Sequence, residues 1–331
     1  MLAASPPFPK EQPLGYEMLS DEPVFDPARH LALEPPANLW RLADLGYSED
    51  EIRRSASKVA VAGPFRVLSE AGVAAARSTA LDLKTSRVFG DRTASYVSGG
   101  VYRSKFLRDL CNCPLVAEFV SEIAGCEVLP HNMPSQQLYI NYAPEDVERA
   151  VDSWHVDSIG LDYVLLLNDP QSFSGGRFQF FHGTSHEAAR FLETDIGNLT
   201  SATVKDLPAE RVITPVFPAA GYAIFQQGSL VMHRATRLNQ RAERITFVTG
   251  FVARDVNYPD PTRNRVAGWD EPGIIAEFAR HKAWLSRQKL DAFIEEVRLG
   301  ATSSDIAARL RDCLADAISA IDILKASSRQ G

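Results

Sequence analysis

The segment Ser153-Trp154-His155-Val156-Asp157-Ser158-Ile159 decides how this chain is interpreted, because it combines a strand-like pattern with two residue types that bind metals. Its β-branched and aromatic residues are typical of a β-strand. On a strand, residues two apart point to the same face, so the side chains of His155 and Asp157 would lie side by side. The segment therefore predicts a β-sheet that presents an imidazole and a carboxylate to one metal ion.

The strand-like pattern continues on both sides of this segment, from residue 127 to residue 255. Turn residues separate short runs of β-forming residues at 137–142, 153–159, 163–168, 177–181, 212–217, 222–226, 231–236 and 244–253. Eight strands at this spacing indicate a sandwich or a barrel-like double sheet. The connection 182–207 is longer than an ordinary loop, and we expect it to form a lid or a rim.

A second histidine completes a candidate metal site. His233 lies on the predicted strand 231–236, which could face the first strand across a barrel. Two imidazoles and one carboxylate leave coordination positions open, as mononuclear iron(II) requires, whereas a structural zinc site closes with four ligands. A hydrogen-bonded core position is the competing interpretation for each histidine.

Arg244 and Thr246 lie on one face of the predicted strand 244–253 by the same period of two. A guanidinium and a hydroxyl together make a good clamp for one carboxylate, because the arginine fork bonds both oxygens. The alternative is a surface salt bridge with Glu243. Burial decides between the two, because an arginine inside a barrel is costly without an anion.

The chain is predicted to divide into three parts. They are an N-terminal arm and helix over 1–58, a core over 59–258 that contains the β-rich region, and a helical C-terminal extension over 259–331. Helix is predicted over 38–56, where Ser48 and Glu51 fit a capping box. In the C-terminal extension, one apolar stripe is expected to pack on the core, with a homodimer contact as the alternative. Its members are Ile306, Leu310, Leu314, Ala317, Ile321 and Leu324.

Composition excludes several classes of protein. The 331 residues carry a formal net charge of -7, which argues against a nucleic-acid binder. Four cysteines do not form a disulfide framework in a chain of this length. The sequence contains no apolar run long enough to span a membrane and no convincing secretory signal, so we expect a cytoplasmic protein.

The residues from 127 to 255 resemble those of the iron(II)- and 2-oxoglutarate-dependent dioxygenases. The resemblance rests on the metal-ligand pattern, on Gly175-Gly176-Arg177-Phe178, on the turn Pro218-Ala219-Ala220-Gly221-Tyr222 and on Arg244-Ile245-Thr246. It implies a double-stranded β-helix, or jelly roll, flanked by N-terminal and C-terminal helices. The expected fold class is accordingly α+β with a mainly β core.

The resemblance also implies roles for individual residues. His155, Asp157 and His233 would bind Fe(II), and Arg244 with Thr246 would hold the distal carboxylate of the co-substrate 2-oxoglutarate. The reaction would consume O2, with ascorbate as a supporting reductant. Halogenating relatives have glycine or alanine in place of the carboxylate, so Asp157 favours hydroxylation or desaturation.

Further contacts to 2-oxoglutarate are expected from the strand 137–142. Its polar face carries Tyr139 and Asn141, and we predict that both point inward. Relatives often use a tyrosine just before the proline turn, which would instead select Tyr142. An alternating strand cannot easily supply both sets.

The substrate is expected to be a small molecule whose unactivated C–H bond is oxidised. Candidate substrate contacts are Trp154, Phe180, His182 and Arg103, although core or surface positions are the commoner fate of such residues. Three alternatives stay open. They are a prolyl-hydroxylase-like enzyme acting on a protein side chain, a non-catalytic jelly-roll binding protein, and a cupin-like metal enzyme that uses no 2-oxoglutarate.

Overall fold

The computed structural model describes residues 5–196, 206–262 and 273–327. Its strands are β1 (Leu31–Glu34), β2 (Leu39–Arg41), β3 (Val59–Leu68), β4 (Tyr96–Val97), β5 (Val128–Pro130), β6 (Tyr139–Tyr142), β7 (Ala150–His155), β8 (Leu161–Leu166), β9 (Phe178–Phe181), β10 (Val212–Ile213), β11 (Tyr222–Gln226), β12 (His233–Arg237) and β13 (Ile245–Ala253). Its helices are α1 (Pro27–His30), α2 (Glu49–Arg54), α3 (Glu70–Leu83), α4 (Gly100–Arg103), α5 (Lys105–Cys111), α6 (Pro114–Ala124), α7 (Pro134–Gln137), α8 (Ser185–Phe191), α9 (Ile274–Glu296) and α10 (Ser303–Ser327).

The strands form two antiparallel sheets. The major sheet has the order β1-β3-β11-β8-β13-β6-β4, with β2 paired to β3 and β5 paired to β13, and the minor sheet has the order β10-β9-β12-β7. From β6 to β13 the chain passes back and forth between the sheets, and only β9 and β10 are consecutive in the same one. This winding is a double-stranded β-helix, as the sequence predicted.

Alternation along each core strand separates an outer packing face from an inner face. In β8, for example, Tyr163 and Leu165 belong to the apolar cluster that includes residues of α3, α5 and α6. Val164 and Leu166 belong instead to the cluster that contains Phe178 and Phe180 of the minor sheet. The space between the sheets therefore receives the side chains at every second position, which is where a site can be built.

Each of the eight predicted strand runs overlaps one strand between β6 and β13. α6 begins with Pro114 in its first turn, and Gly125 ends it in the left-handed conformation at φ 65°. Ser69 caps α3, because its side-chain hydroxyl accepts from the amide of Gly72.

The helix predicted over 38–56 is wrong for most of its length. The capping box of Ser48 and Glu51 is present, but it starts only the short helix α2. Residues before it form β2, because the edge of β3 offers them backbone partners. β3 is itself a ten-residue strand. The N-terminal arm thus extends the major sheet through β1 and β2.

The C-terminal extension is a pair of long helices in which α10 packs on α9. The buried positions of α10 are Cys313 and Ala320, each one residue before an apolar residue of the predicted stripe. Leu314 is 39% exposed and Ile321 is 49% exposed, so part of that stripe faces solvent. A homodimer contact through α10 therefore stays a prediction. None of the described helices is long and apolar enough to cross a membrane.

Candidate metal centre

The two histidines meet at one end of the minor sheet. His155 ends β7 and His233 begins β12, and their Cα atoms are partners in the antiparallel ladder. A shift in register between His233 and Ala235 accompanies this pairing, and the two ring centroids lie 4.1 Å apart. Both side chains are buried. The sheet therefore fixes both imidazoles in one place from residues that are far apart in the sequence.

Asp157 joins the histidines from a loop and not from a strand, which corrects the expectation that it shares the strand of His155. β7 ends at His155, and the Asp157 amide donates to the carbonyl of Gly228 at 2.7 Å. The carboxylate oxygens lie 3.3 Å from Nε2 of His155 and 3.3 Å from Nε2 of His233. One ligand atom from each residue lies within 4.8 Å of the others.

The protonation of the cluster suits metal binding. Nδ1 of His155 donates to the Ser153 carbonyl at 2.6 Å, and Nδ1 of His233 donates to the Val231 carbonyl at 2.9 Å. Because a carbonyl can only accept, each Nδ1 carries the proton and each neutral ring keeps a lone pair on Nε2. Burial lowers the pKa of His155, which favours that neutral form.

The carboxylate is held ionised. Burial opposes the ionisation of Asp157, but a positive charge on His233 and hydrogen bonds from the Nε2–H groups of both imidazoles, whose place a metal ion would take, outweigh it and keep the pKa of the carboxyl well below its ordinary value. Two Nε2 lone pairs and one carboxylate oxygen are the donor set of a facial site for iron(II) or a similar divalent metal. Within the described residues this is the one group of three such ligands, so the set is open and does not close as a structural zinc site would.

Two residues that the sequence reasoning missed contact this cluster from the major sheet. The Gln226 amide nitrogen lies 3.2 Å from Oδ2 of Asp157, 3.0 Å from Oδ1 of Asp162 and 3.0 Å from Nε2 of His233. Burial and the neighbouring Asp157 raise the pKa of Asp162 well above its ordinary value. The sequence does contain a signal for Asp162, because it is a carboxylate on the inner face of β8, whose other inner-face residues are apolar.

A cation was also missed. The Arg92 guanidinium lies 3.5 Å from Asp152 and 4.0 Å from the Asp157 carboxylate. Arg92 belongs to a connection beside the edge of β7, where Thr93 forms an isolated bridge with Asp152. No motif in the sequence marks this arginine, because its place depends on how that connection meets the sheet.

Arg244 lies inside the protein and is 2% exposed. Its Nε donates to the Gly176 carbonyl at 2.7 Å, and its Nη1 lies 3.4 Å from the Thr246 hydroxyl. Burial lowers the pKa of Arg244 to about 10. The alternative of a surface salt bridge between Arg244 and Glu243 is wrong, because Glu243 pairs with Arg77 at 2.7 Å. No carboxylate among the described residues forms an ion pair with Arg244.

The strand β6 places Tyr139 and Asn141 on its inner face, as predicted. Asn141 pairs with Thr246 of β13, and its Oδ1 is buried without a hydrogen-bond partner in the described part of the chain. Tyr142 points the other way and donates its hydroxyl to the Ala80 carbonyl of α3 at 2.6 Å. The structure therefore favours the first of the two sets that the sequence left open.

The four candidate substrate contacts are not brought together. Phe180 faces the space between the sheets and is the Cα partner of His233. Trp154 points outward, because it precedes the inward His155; its indole donates to Asp206 at 2.6 Å beneath Arg234. Arg103 stacks on Tyr16 at 3.9 Å on α4, outside the sheets. Trp154 and Arg103 thus lie outside the space between the sheets, and their role as substrate contacts stays a prediction.

His182 lies at the end of β9, where its backbone exchanges hydrogen bonds with Arg211. The connection that follows it begins with α8, which packs on Trp154 and Phe181 at the outer face of the minor sheet. Residues 197–205 of the predicted lid lie outside the described residues. The described part of this connection covers the outer face of the minor sheet and does not cover the cluster of His155, Asp157 and His233.

The fold and the cluster define a jelly-roll protein with a candidate two-histidine, one-carboxylate metal centre. No protein-family model and no curated protein matches the chain. Solved structures similar to it include the epimerase SnoN in complex with Fe3+, alpha ketoglutarate and nogalamycin RO, at 18% identity over 62% of this chain and 81% of that chain, with a TM-score of 0.45.

Two further solved structures are similar to this chain. HygX from Streptomyces hygroscopicus, with nickel and 2-oxoglutarate bound, is 14% identical over 63% of this chain and 88% of that chain, with a TM-score of 0.40. EctD from S. alaskensis, with bound Fe, is 16% identical over 73% and 89% of the two chains, with a TM-score of 0.42. The fold assignment rests on the strand order described above.

Substituting Gly228 by alanine is expected to weaken metal binding about tenfold. A Cβ atom at Gly228 would lie 2.6 Å from Oδ2 of Asp157 and would also press on the Asp162 carboxylate, so one of the carboxylates must move. Titration with Co(II) measures the affinity. The control is Gly300→Ala, where an added Cβ meets nothing within 4 Å. An unchanged affinity in Gly228→Ala would show that the Asp157 carboxylate is not a ligand held at this position.

Proposed function

We propose that this protein is a non-haem iron(II), 2-oxoglutarate-dependent dioxygenase that hydroxylates or desaturates an unactivated C–H bond of a small molecule. The observation that carries the proposal is that one barrel contains both an open set of metal ligands and the buried guanidinium of Arg244. A buried cation costs free energy unless it meets an anion. A co-substrate that chelates the metal at one end and carries a second carboxylate at its far end would bind the metal and also pair with the guanidinium.

Register supports this arrangement within the barrel. On β13, Thr246 lies opposite Asn141 of β6, so the guanidinium, a hydroxyl and an inward amide converge on one region between the sheets. The Arg244 fork and the Thr246 hydroxyl would bind the distal carboxylate, and Asn141 with Tyr139 would line its path.

The chain's own residues bind, orient and exclude water. His155, Asp157 and His233 would hold the iron with three positions left for other ligands. Iron in such a site supplies O2 activation coupled to the oxidative decarboxylation of 2-oxoglutarate to succinate. Phe178 and Phe180 keep the inner face of the minor sheet apolar, which protects the reacting centre from water. As a metal ligand, the Asp157 carboxylate would leave no room for a halide, which favours hydroxylation or desaturation over halogenation.

Succinate formation tests the proposal directly. The purified protein is incubated with Fe(II), ascorbate, O2 and 2-oxoglutarate, with and without panels of small molecules and of peptides, and succinate is quantified. We expect succinate to require iron, to disappear with a chelator and to rise with a small-molecule substrate. Stimulation by peptides alone would favour a protein side chain as the substrate. Absence of iron-dependent succinate under every condition would contradict the proposal.

A further inference from the structure

The Asp157 carboxylate is the ligand that local structure fixes least. The two imidazoles lie on paired strands, and a backbone carbonyl holds each Nδ1. Asp157 lies two residues beyond the end of β7, so no strand pairing sets the direction of its side chain. Yet a metal ligand must point in one direction to coordinate well. The question is which groups orient this carboxylate.

Gln226 and Asp162 reach it from the opposite sheet. They are Cα partners in the β11–β8 ladder, and both are 0% exposed. We propose that Gln226 and Asp162 are positioning residues that hold the Asp157 carboxylate in place for metal binding, an inference that rests on the metal centre proposed above. Gln226 makes the contact, and Asp162 sets the orientation of the Gln226 amide.

The Gln226 amide nitrogen carries two hydrogens that it can donate. The amide nitrogen lies 3.0 Å from Oδ1 of Asp162, so one N–H is committed to that carboxylate. The other N–H is left for Oδ2 of Asp157 at 3.2 Å and Nε2 of His233 at 3.0 Å. If the amide were turned over, its oxygen would face the ionised Asp157 carboxylate, and no N–H would be left to donate to that carboxylate. Asp162 thereby keeps the donor side of the amide toward Asp157.

A purely structural role explains Asp162 poorly. Its neighbours on the same face of β8 are Val164 and Leu166, which pack in the apolar cluster between the sheets. Burying the Asp162 carboxyl group beside them costs free energy, and no cation among the described residues pairs with Asp162. The buried carboxyl accepts a hydrogen bond from Gln226 and so orients the amide toward Asp157, which an apolar residue could not do.

Metal affinity of variants tests the inference without relying on turnover. Gln226→Leu and Asp162→Leu are expected to bind Co(II) about 10-fold to 100-fold more weakly than the wild type, the usual cost of losing a group that orients a ligand. The visible spectrum of bound Co(II) should change as well. Asp162→Asn keeps an oxygen that accepts from Gln226, so its affinity should stay within about threefold of the wild type.

Gln227→Leu is the matched control. The Gln227 side chain is also buried and donates to the carbonyls of Ser57 at 3.1 Å and Val59 at 2.7 Å, away from the cluster. Its removal should lower the melting temperature without changing Co(II) affinity or the Co(II) spectrum. If Gln227→Leu weakens metal binding as much as Gln226→Leu, the effect belongs to folding and the inference is overturned.

Other outcomes also separate the inference from the proposed function. A wild-type protein that binds no Co(II) or Fe(II) would contradict the metal centre itself. Wild-type binding together with an unchanged or tighter affinity in Gln226→Leu would overturn only the inference, because the amide would then compete with the metal for His233. Loss of affinity in Asp162→Asn equal to that in Asp162→Leu would assign Asp162 a charge role and would also overturn it.

Discussion

In the His233→Ala variant, iron-dependent succinate formation is expected to fall by more than about a thousandfold, or roughly 4 kcal/mol of transition-state free energy. His233 supplies one of three protein ligands, and its Nδ1 is fixed by the Val231 carbonyl. The nearest polar group, the Gln226 amide nitrogen, lies 3.0 Å from the imidazole Nε2 but has no lone pair to offer a metal. The measurement is succinate produced by wild type and variant at equal protein concentration.

His186→Ala is the control for this prediction. His186 is exposed on α8, which packs on the outer face of the minor sheet, so the substitution should leave succinate formation nearly unchanged. Circular dichroism of both variants shows whether the fold survives. If folded His233→Ala protein still makes succinate at more than a few per cent of the wild-type rate, His233 is not a required iron ligand.

Period-two alternation explains most of what the sequence predicted correctly. It predicts Tyr139 and Asn141 on the inner face of their strand, and it assigns Arg244 and Thr246 to one face, where the two side chains are in contact. The same rule could have excluded Trp154 as a pocket residue, because a neighbour of an inward histidine must point outward. These features depend only on a strand's own residues, so the sequence alone can give them.

Features that depend on partners far away in the chain could not be predicted in this way. The contact of Gln226 with Asp162 joins residues 64 positions apart through the register of β11 on β8. Asp157 lies off its strand because Gly228, on a different loop, accepts its amide hydrogen. Residues 39–41 form a strand where helix was predicted, because β3 provides an edge for them. Tertiary pairing decides such positions, and local propensity does not.

The Arg244→Met variant is expected to lose 2-oxoglutarate binding while keeping its stability. Removing a bidentate, charge-assisted contact to the distal carboxylate should weaken 2-oxoglutarate binding about 100-fold, which corresponds to roughly 2.7 kcal/mol. The free energy of unfolding without ligand should change by only about 1 kcal/mol, because the lost bonds to Gly176 and Thr246 are offset by no longer burying an unpaired cation. A large loss of 2-oxoglutarate binding with little change in stability distinguishes a ligand clamp from a structural arginine.

The measurement is the rise in melting temperature on adding 2-oxoglutarate to the Mn(II)-loaded protein without O2, since a ligand that binds only the folded state stabilises it by RT ln(1 + L/Kd), where L is the free ligand concentration. The matched control is Arg234→Met. Arg234 lies 4.4 Å above the Trp154 ring on the outer face of the minor sheet and pairs with Asp206 at 3.0 Å. It should lose stability and keep the full shift with 2-oxoglutarate. A large drop in the melting temperature of ligand-free Arg244→Met, with the shift intact, would mean that the buried guanidinium holds the fold together and that the co-substrate binds elsewhere.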